Sequence, residues 1–188
     1  MTNLAIDWIN DQTNPWFLWL AYSAPHTPYH LPPQNLHSRN LSGTDADINS
    51  NPRSYYLAAI EAMDTEIGRL LSSIDQNTSS DTLIIFMGDN GTPGRVRNRS
   101  VYANGAKGTL YEGGLAVPMV ISGSGVTRSL VTSLVPPILR LYTVLPPSGD
   151  SYTYLCSSSN CVVIHILIHM HTVIKKGHQN NDVLFKFR

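Results

Sequence analysis

The stretch Thr82-Leu83-Ile84-Ile85-Phe86-Met87-Gly88-Asp89-Asn90-Gly91 decides the fold class of this chain. Its apolar part is rich in β-branched residues, which favours a buried strand. The strand runs directly into a carboxylate and an amide, whose oxygens suit a hard cation such as Ca²⁺ or Mg²⁺. Taken alone, Asp-Asn-Gly is also typical of a tight turn. We predict a strand that delivers Asp89 and Asn90 to one edge of a sheet.

Two more apolar segments predict strands. Residues 16–22 form a continuous apolar run, which predicts a strand of a parallel sheet that is covered on both faces. Residues 117–123 predict a third strand, with Pro118 near its start. The pattern of strand, loop, helix, strand, loop and strand is typical of an α/β fold.

Two helices are predicted between and before these strands. The spacing of apolar residues over 4–9 predicts a short amphipathic helix. A longer helix begins at Pro52, with Asn51 as its N-cap. Its apolar stripe recurs at steps of three and four and consists of Tyr56, Ile60, Met63, Ile67, Leu70, Leu71 and Ile74. Residues 38–52 and 76–81 are predicted to be irregular connections.

Two candidate site residues lie in loops. His26 follows the first strand inside a proline-rich loop, which would fix its imidazole for proton transfer. Lys107 lies among glycines, where it could bind a tetrahedral oxyanion as a point charge. A surface histidine and a solvated loop lysine are the alternatives. Ligand sites of α/β sheets collect at the carboxyl ends of strands, and both His26 and Asp89 follow such ends.

Composition excludes several classes of protein. The 188 residues hold 13 basic and 13 acidic side chains, whereas a nucleic-acid-binding protein is expected to carry a basic excess. Two cysteines exclude a disulfide-dense scaffold. The apolar run at 161–174 is too short for a membrane span and contains three histidines, so we expect no membrane span. This run could be either a strand or a helix.

The last third of the chain differs from the rest. Residues 1–125 carry 7 basic and 11 acidic residues, a net charge of −4, whereas residues 126–188 carry a net charge of +4. If the tail were helical, His165 and His169 would share a face, but incidental metal affinity is favoured over a designed site. We interpret the tail as the product of intron read-through, a frameshift or alternative splicing.

Four segments together resemble the sulfatase family. Residues 16–28 resemble the segment that presents a substrate histidine, and residues 56–71 resemble the helix that follows it. Residues 83–91 resemble the strand that ends in Asp-Asn-Gly, and residues 107–118, Lys-Gly-Thr-Leu-Tyr-Glu-Gly-Gly-Leu-Ala-Val-Pro, resemble the family's C-terminal motif. The four segments occur in the family's order over about residues 2–128.

The resemblance implies an alkaline-phosphatase-like α/β fold, here incomplete, with helices packed on a mainly parallel sheet. It implies metal-assisted hydrolysis of sulfate esters, in which Asp89 and Asn90 bind Ca²⁺ or another divalent cation. It also implies that His26 contacts the sulfate or protonates the leaving oxygen, and that Lys107 binds a sulfate oxygen. Residues 1–128 would form the C-terminal portion of the catalytic domain, and residues 129–188 a divergent tail.

The chain also departs from the family pattern. Sulfatases use a formylglycine made from Cys or Ser in Cys/Ser-x-Pro-x-Arg, and that motif and the paired N-terminal aspartates are absent from this sequence. Ala116 stands where the family usually has Arg. Met1 therefore corresponds to a point about midway through the catalytic domain, and we expect the isolated chain to be inactive.

Two alternatives remain open. One is a phosphoester or phosphonate hydrolase of the same superfold, and the other is a truncated product without catalysis. The expected partner is a sulfate-ester substrate, with no nucleic acid. Relatives are mostly exported, periplasmic or lysosomal, but residues 1–4 lack the basic and apolar regions of a signal peptide.

Overall fold

The computed structural model describes residues 1–115, 117–123 and 126, together with the backbone of a strand at 162–168. These residues form a mixed α/β structure, as the sequence predicts. The helices are α1 Thr2–Asn10, α2 Asp45–Ser50, α3 Pro52–Ser72, α4 Gln76–Ser80 and α5 Glu112–Leu115, with a 3₁₀ turn at Gln34–Leu36. The strands are β1 Phe17–Tyr22, β2 Thr82–Gly88, β3 Met119–Gly123 and β4 Val162–Ile168.

The four strands form one sheet in the order β1-β4-β2-β3. Strand β4 is parallel to both β1 and β2, whereas β3 is antiparallel to β2. Because β1 and β2 are each parallel to β4, their carboxyl ends lie at the same edge of the sheet.

Helices α1 and α3 pack on one face of β1. Their buried residues meet the buried side chains of the strand in a single apolar cluster, together with Ile74, just after α3, and Val96 of a later loop. It consists of Ala5, Ile9, Leu18, Leu20, Tyr22, Tyr56, Met63, Leu70, Ile74 and Val96. The other predicted members of the α3 stripe, Ile60, Ile67 and Leu71, are partly buried against this cluster. The predicted stripe is therefore confirmed as the core face of α3.

The prediction that the first strand is covered on both faces is wrong for the described residues. Burial alternates along β1, so that Leu18, Leu20 and Tyr22 are buried whereas Trp19 is 37% exposed. Trp19 lies on the face away from α1 and α3, because the alternating side chains of a strand point to opposite faces. Among the described residues that face is only partly covered, since Phe17 and Ala21 are half-buried there. The continuous apolar run in the sequence therefore did not show whether one face of β1 or both faces would be covered.

Two segments expected to be irregular contain short helices. Helix α2 lies within residues 38–52, and its N-cap Thr44 accepts a hydrogen bond from the Asp47 amide. Helix α4 lies within residues 76–81, and its N-cap Asp75 accepts from the amides of Asn77 and Thr78. Asn51 occupies the predicted N-cap position of α3, but its side chain caps no amide of that helix; its Nδ2 donates to the Asp47 carboxylate at 2.7 Å instead. Local capping, rather than an apolar face, makes these short helices.

The apolar run at 161–174 contains a strand, β4, which pairs with β1 and β2. His165 lies on this strand, so the helical alternative for His165 is wrong. His169, His171, Cys156, Cys161 and most of residues 129–188 lie outside the described residues. Among the helices described, none combines the length and the apolar character needed to cross a bilayer.

Candidate functional site

The register of the sheet brings two predicted site segments to one edge. Tyr22 of β1 and Gly88 of β2 both pair with Ile168, the last residue of β4. Asp89 follows Gly88 directly, and His26 lies four residues beyond Tyr22. Neighbouring strands are about 4.8 Å apart, so the ends of β1 and β2 are about 10 Å apart.

The side chains of Asp89 and Asn90 are half-buried at the exit of β2. Oδ2 of Asp89 is shielded from solvent. Both polar atoms of the Asn90 side chain, Oδ1 and Nδ2, are shielded from solvent and have no hydrogen-bond partner among the described residues. A buried amide without partners is costly, so this position calls for a ligand.

Gly91 joins this strand exit to the segment that carries Lys107. Its amide donates to the Gly114 carbonyl at 3.1 Å. A Cβ on Gly91 would lie 2.7 Å from the Gly114 Cα and closer still to the Gly113 carbonyl oxygen. Only glycine fits such an approach, and for this reason the Asp-Asn-Gly turn and the Gly113-Gly114 pair contact each other directly.

Lys107 lies on a tight turn formed by Ala106, Lys107, Gly108 and Thr109. The Thr109 amide donates to the Ala106 carbonyl at 3.1 Å, and Gly108 has a φ of +83°, as the third residue of a type II turn requires. The Thr109 side chain closes the turn, because its Oγ1 also accepts from the Ala106 amide at 3.0 Å. The Lys107 amide donates to the Thr92 carbonyl at 2.9 Å, which ties the turn to the residue after Gly91.

Two opposing effects act on the pKa of Lys107. Partial burial lowers the pKa of the ammonium, and the negative charge of Asp89 offsets part of this effect. An ammonium that is poorly solvated gains more from a bound anion than a fully hydrated one. The arrangement can therefore hold an anion beside the Asp89-Asn90 segment.

His26 is held by its own loop. Its Nδ1 lies 2.7 Å from the Thr27 carbonyl oxygen, and its amide donates to the Ser23 carbonyl at 3.0 Å. A carbonyl oxygen only accepts, so Nδ1 carries the proton and Nε2 remains available to exchange a proton with a ligand. Tyr29, three residues later, packs edge-to-face on Tyr56 of α3 and anchors the loop to the core.

The other described histidines differ from His26. His37 is buried, its Nε2 donates to the Pro32 carbonyl at 3.2 Å, and its Nδ1 accepts from the Arg39 amide at 3.2 Å. Both ring nitrogens are thus used within the loop, and His37 is a structural residue. His30 is exposed and its Nδ1 lies 3.3 Å from the Pro28 carbonyl oxygen.

The donor chemistry of Asp89 and Asn90 fits a hard divalent cation, but the number of ligands falls short. No group of three or more His, Cys, Asp or Glu side chains among the described residues could hold a metal ion. Ca²⁺ takes six to eight oxygen ligands. These two residues can therefore contribute only part of a coordination sphere.

A cavity of about 390 Å³ lies between α3 and the exit of β2. Asn90 and Thr92 contribute to its wall, as do Pro25 and Tyr56, whereas His26 and Lys107 are not among the described residues that line it. The cavity is therefore adjacent to the candidate site and separate from the groups that could act on an anion.

Thr92 and Arg97 support Lys107 but were not predicted from the sequence. Thr92 accepts from the Lys107 amide, and Arg97 donates through Nη1 to the carbonyl of Gly105, two residues before Lys107. No sequence signal marks Thr92 or Arg97, because both act through backbone contacts across a long polar loop. The paired glycines 113 and 114 were the available signal for close packing at this site.

Several known proteins are similar in sequence to this chain. An uncharacterized sulfatase of Escherichia coli, YdeN, is 30% identical over 116 residues, which cover 59% of this chain and 19% of that protein. A choline-sulfatase of Rhizobium meliloti is 25% identical over 154 residues, covering 64% of this chain and 29% of that protein. Arylsulfatase K of Danio rerio is 25% identical and covers 86% of this chain and 32% of that protein.

The chain spans about a fifth to a third of the length of these relatives. No solved structure matches the chain at the significance that these relatives reach. The profile of the family described as Sulfatase matches residues 1–146, more than three quarters of the sequence. The chain belongs to the sulfatase family, and that membership implies the alkaline-phosphatase-like fold.

Proposed function

We propose that the complete protein hydrolyses sulfate esters and that residues 1–128 supply part of its active site. One observation carries this proposal. Gly91 packs closely against Gly113 and Gly114, and the Lys107 amide donates to the Thr92 carbonyl, so a partly desolvated Lys107 lies within reach of the charge of Asp89. The Lys107 ammonium therefore lies near the oxygen atoms of Asp89 and Asn90, which can bind a metal ion. An ammonium and a metal ion together suit a doubly charged tetrahedral anion.

Asp89 and Asn90 would hold a divalent cation, for which we propose Ca²⁺, together with ligands from outside the described residues. The buried and unpartnered amide of Asn90 supports this assignment. When bound, the cation would supply positive charge next to a sulfate oxygen.

The chain's own residues would then act on the ester. The Lys107 ammonium would bind a second sulfate oxygen and offset the charge that shifts onto it during transfer. In its doubly protonated form, His26 would donate a proton from Nε2 to the leaving alcohol oxygen, while its Nδ1–H stays bonded to the Thr27 carbonyl.

The 188 residues contain no Cys/Ser-x-Pro-x-Arg motif, so they contain no precursor of formylglycine. The groups that remain can bind an anion but cannot form the covalent intermediate. We propose that the 188-residue chain binds sulfate and does not turn over an aryl sulfate.

The experiment combines turnover with binding on the purified chain. We expect no aryl-sulfate hydrolysis above a buffer blank, a cooperative thermal transition, and a Tm that rises with CaCl₂ concentration. The variants Asn90→Ala and Asp89→Asn should lose the Ca²⁺-dependent rise, whereas Asp45→Asn, on the distant helix α2, should keep it. A Tm that does not respond to Ca²⁺ would count against the metal assignment, and measurable turnover would refute the proposed inactivity.

A further inference from the structure

The turn that carries Lys107 belongs to no helix or strand, so its position depends on a few contacts. Two of them reach it from the segment 92–97, which follows the Asp-Asn-Gly turn. The Thr92 carbonyl accepts the Lys107 amide at 2.9 Å, and the Arg97 guanidinium donates through Nη1 to the Gly105 carbonyl. The Gly105 carbonyl and the Lys107 amide lie on either side of Ala106, so the two contacts flank the residue that precedes Lys107.

We infer that Arg97 and Tyr56 are positioning residues for Lys107, which fix its ammonium against the Asp89-Asn90 segment without touching the anion. This inference rests on the function proposed above and deepens it. It assigns the placement of the anion-binding lysine to an arginine of the long loop and to a tyrosine of α3.

Arg97 is well placed for this role because its own backbone is fixed. The Arg97 amide donates to the Pro93 carbonyl at 3.0 Å, and its neighbour Val96 is fully buried in the core. The carbonyl of Val96 accepts from Nη1 of Arg53, on α3, at 2.8 Å. The guanidinium of Arg97 thus extends from a rigid base to the Lys107 turn.

Gly105, the residue that Arg97 contacts, has little freedom to move away. It has a φ of +79°, and a Cβ there would lie 2.8 Å from Thr109 Oγ1 and nearer still to the Tyr111 side chain. Loss of the Arg97 contact therefore leaves the Gly105 carbonyl without this donor in a crowded place. A carbonyl without its donor is costly, so we expect the Lys107 turn to become less well ordered.

Tyr56 fixes the other contact. Tyr56 and Thr92 line the same cavity, and the Thr92 side chain acts on the hydroxyl of Tyr56, whose ring is buried in the core and only 5% exposed. Thr92 in turn accepts the Lys107 amide through its carbonyl. Helix α3 is thus connected to the Lys107 turn through Thr92.

The test compares two arginines of the same loop in the full 188-residue chain. Arg97→Met removes the contact with Gly105. Arg95→Met is the matched control, because Arg95 donates to the Asn49 carbonyl at 2.8 Å and not to the Lys107 turn. Both variants lose one positive charge, so the comparison controls for the change in net charge.

The first readout is the affinity for inorganic sulfate, which is measured by NMR from the signal of the residue 107 amide. We expect Arg97→Met and Tyr56→Phe to weaken binding about three- to tenfold, as for the loss of one hydrogen bond. Arg95→Met should stay within about twofold, and Arg97→Lys, which keeps a donor, should recover part of the loss. Lys107→Ala should abolish the binding.

The second readout is hydrogen exchange of the Lys107 amide, which does not depend on any anion. Arg97→Met should speed this exchange by about tenfold relative to Arg95→Met, because the Lys107 contact with Thr92 is loosened. Near-ultraviolet circular dichroism and the unfolding midpoint identify a variant that fails to fold, in which case Arg97→Lys and Tyr56→Phe carry the comparison.

The outcomes separate the two proposals. If Lys107→Ala abolishes sulfate binding while Arg97→Met and Tyr56→Phe behave like Arg95→Met in both readouts, the positioning inference is overturned and the proposed function stands. If wild-type chain does not bind sulfate, the proposed function loses its support, and hydrogen exchange alone decides whether Arg97 and Tyr56 hold the turn.

Discussion

Gly91 and Gly113 pack so closely that neither position has room for a side chain. A Cβ on Gly91 would lie closest to the Gly113 carbonyl oxygen, and a Cβ on Gly113 would lie 2.7 Å from the carbonyl oxygen of Gly105. Gly91 thus touches the Gly113-Gly114 end of the segment that carries Lys107, and Gly113 in turn lies against Gly105 at the other end of that segment. The candidate site is therefore built on backbone packing between two loops.

We expect Gly91→Ala to destabilise the chain by about 1–3 kcal/mol, as overpacking of a tight contact does. The added methyl group meets backbone atoms, which cannot rotate away. Gly68→Ala is the control, because Gly68 lies in α3 with open space around its Cβ position. That change should stabilise the chain by about 0.5–1 kcal/mol. Urea denaturation measures both, and equal effects would contradict the close packing.

The stability of the chain should depend on Asp47 at low pH. A hydrogen bond from Tyr55 and others from Asn51 and Ser42 hold the pKa of Asp47 at about 2, below its usual 3.8. The folded state thus favours the carboxylate, and its contribution is present above pH 3.8 and lost as the pH falls toward 2. Asp47→Asn should flatten this part of the curve of Tm against pH.

The control for this measurement is Asp45→Asn on the same helix. Asp45 has no side-chain hydrogen bond among the described residues, so its replacement should leave the acid limb of the curve unchanged. The same slope between pH 4 and 2 in Asp47→Asn and wild-type chain would show that the network around Tyr55 does not contribute.

Core packing between α3 and β1 should dominate the stability of the chain. Leu70 is fully buried in the apolar cluster, so Leu70→Ala should cost about 2–5 kcal/mol. Leu110 is 89% exposed, and Leu110→Ala should change stability by about 0.5 kcal/mol or less. Chemical denaturation of both variants gives the comparison. Similar losses would mean that α3 does not pack as described.

Sulfate binding should weaken with rising pH sooner than for an ordinary lysine. Burial lowers the pKa of Lys107, so its positive charge is present below that lowered value and lost as the pH rises through it. Sulfate affinity of the wild-type chain, measured from pH 7 upward, should fall with a midpoint below 10.5, the usual lysine value. Lys107→Arg should retain its charge over the same range. A loss of affinity in Lys107→Arg at the same pH would assign the titration to another group.

The sequence by itself determined three of the strands, the two longest helices and their order along the chain. The strands β1, β2 and β3 and the helices α1 and α3 were predicted from apolar runs and periodicity, because these depend on local patterns of burial. The Asp-Asn-Gly turn and the Lys107 segment were singled out from residue type alone. The family followed from four segments in order, and the match over residues 1–146 confirms it.

Only the tertiary structure decided how these pieces meet. The exposure of Trp19 and the pairing of β4 between β1 and β2 depend on contacts that no local pattern contains. The two loops of the candidate site are joined by the packing of Gly91 against Gly113 and Gly114, by the hydrogen bond from the Lys107 amide to the Thr92 carbonyl, and by the contact of the Arg97 guanidinium with the Gly105 carbonyl. A sequence records which side chains are available, whereas distances between loops are set by packing and by hydrogen bonds to the main chain.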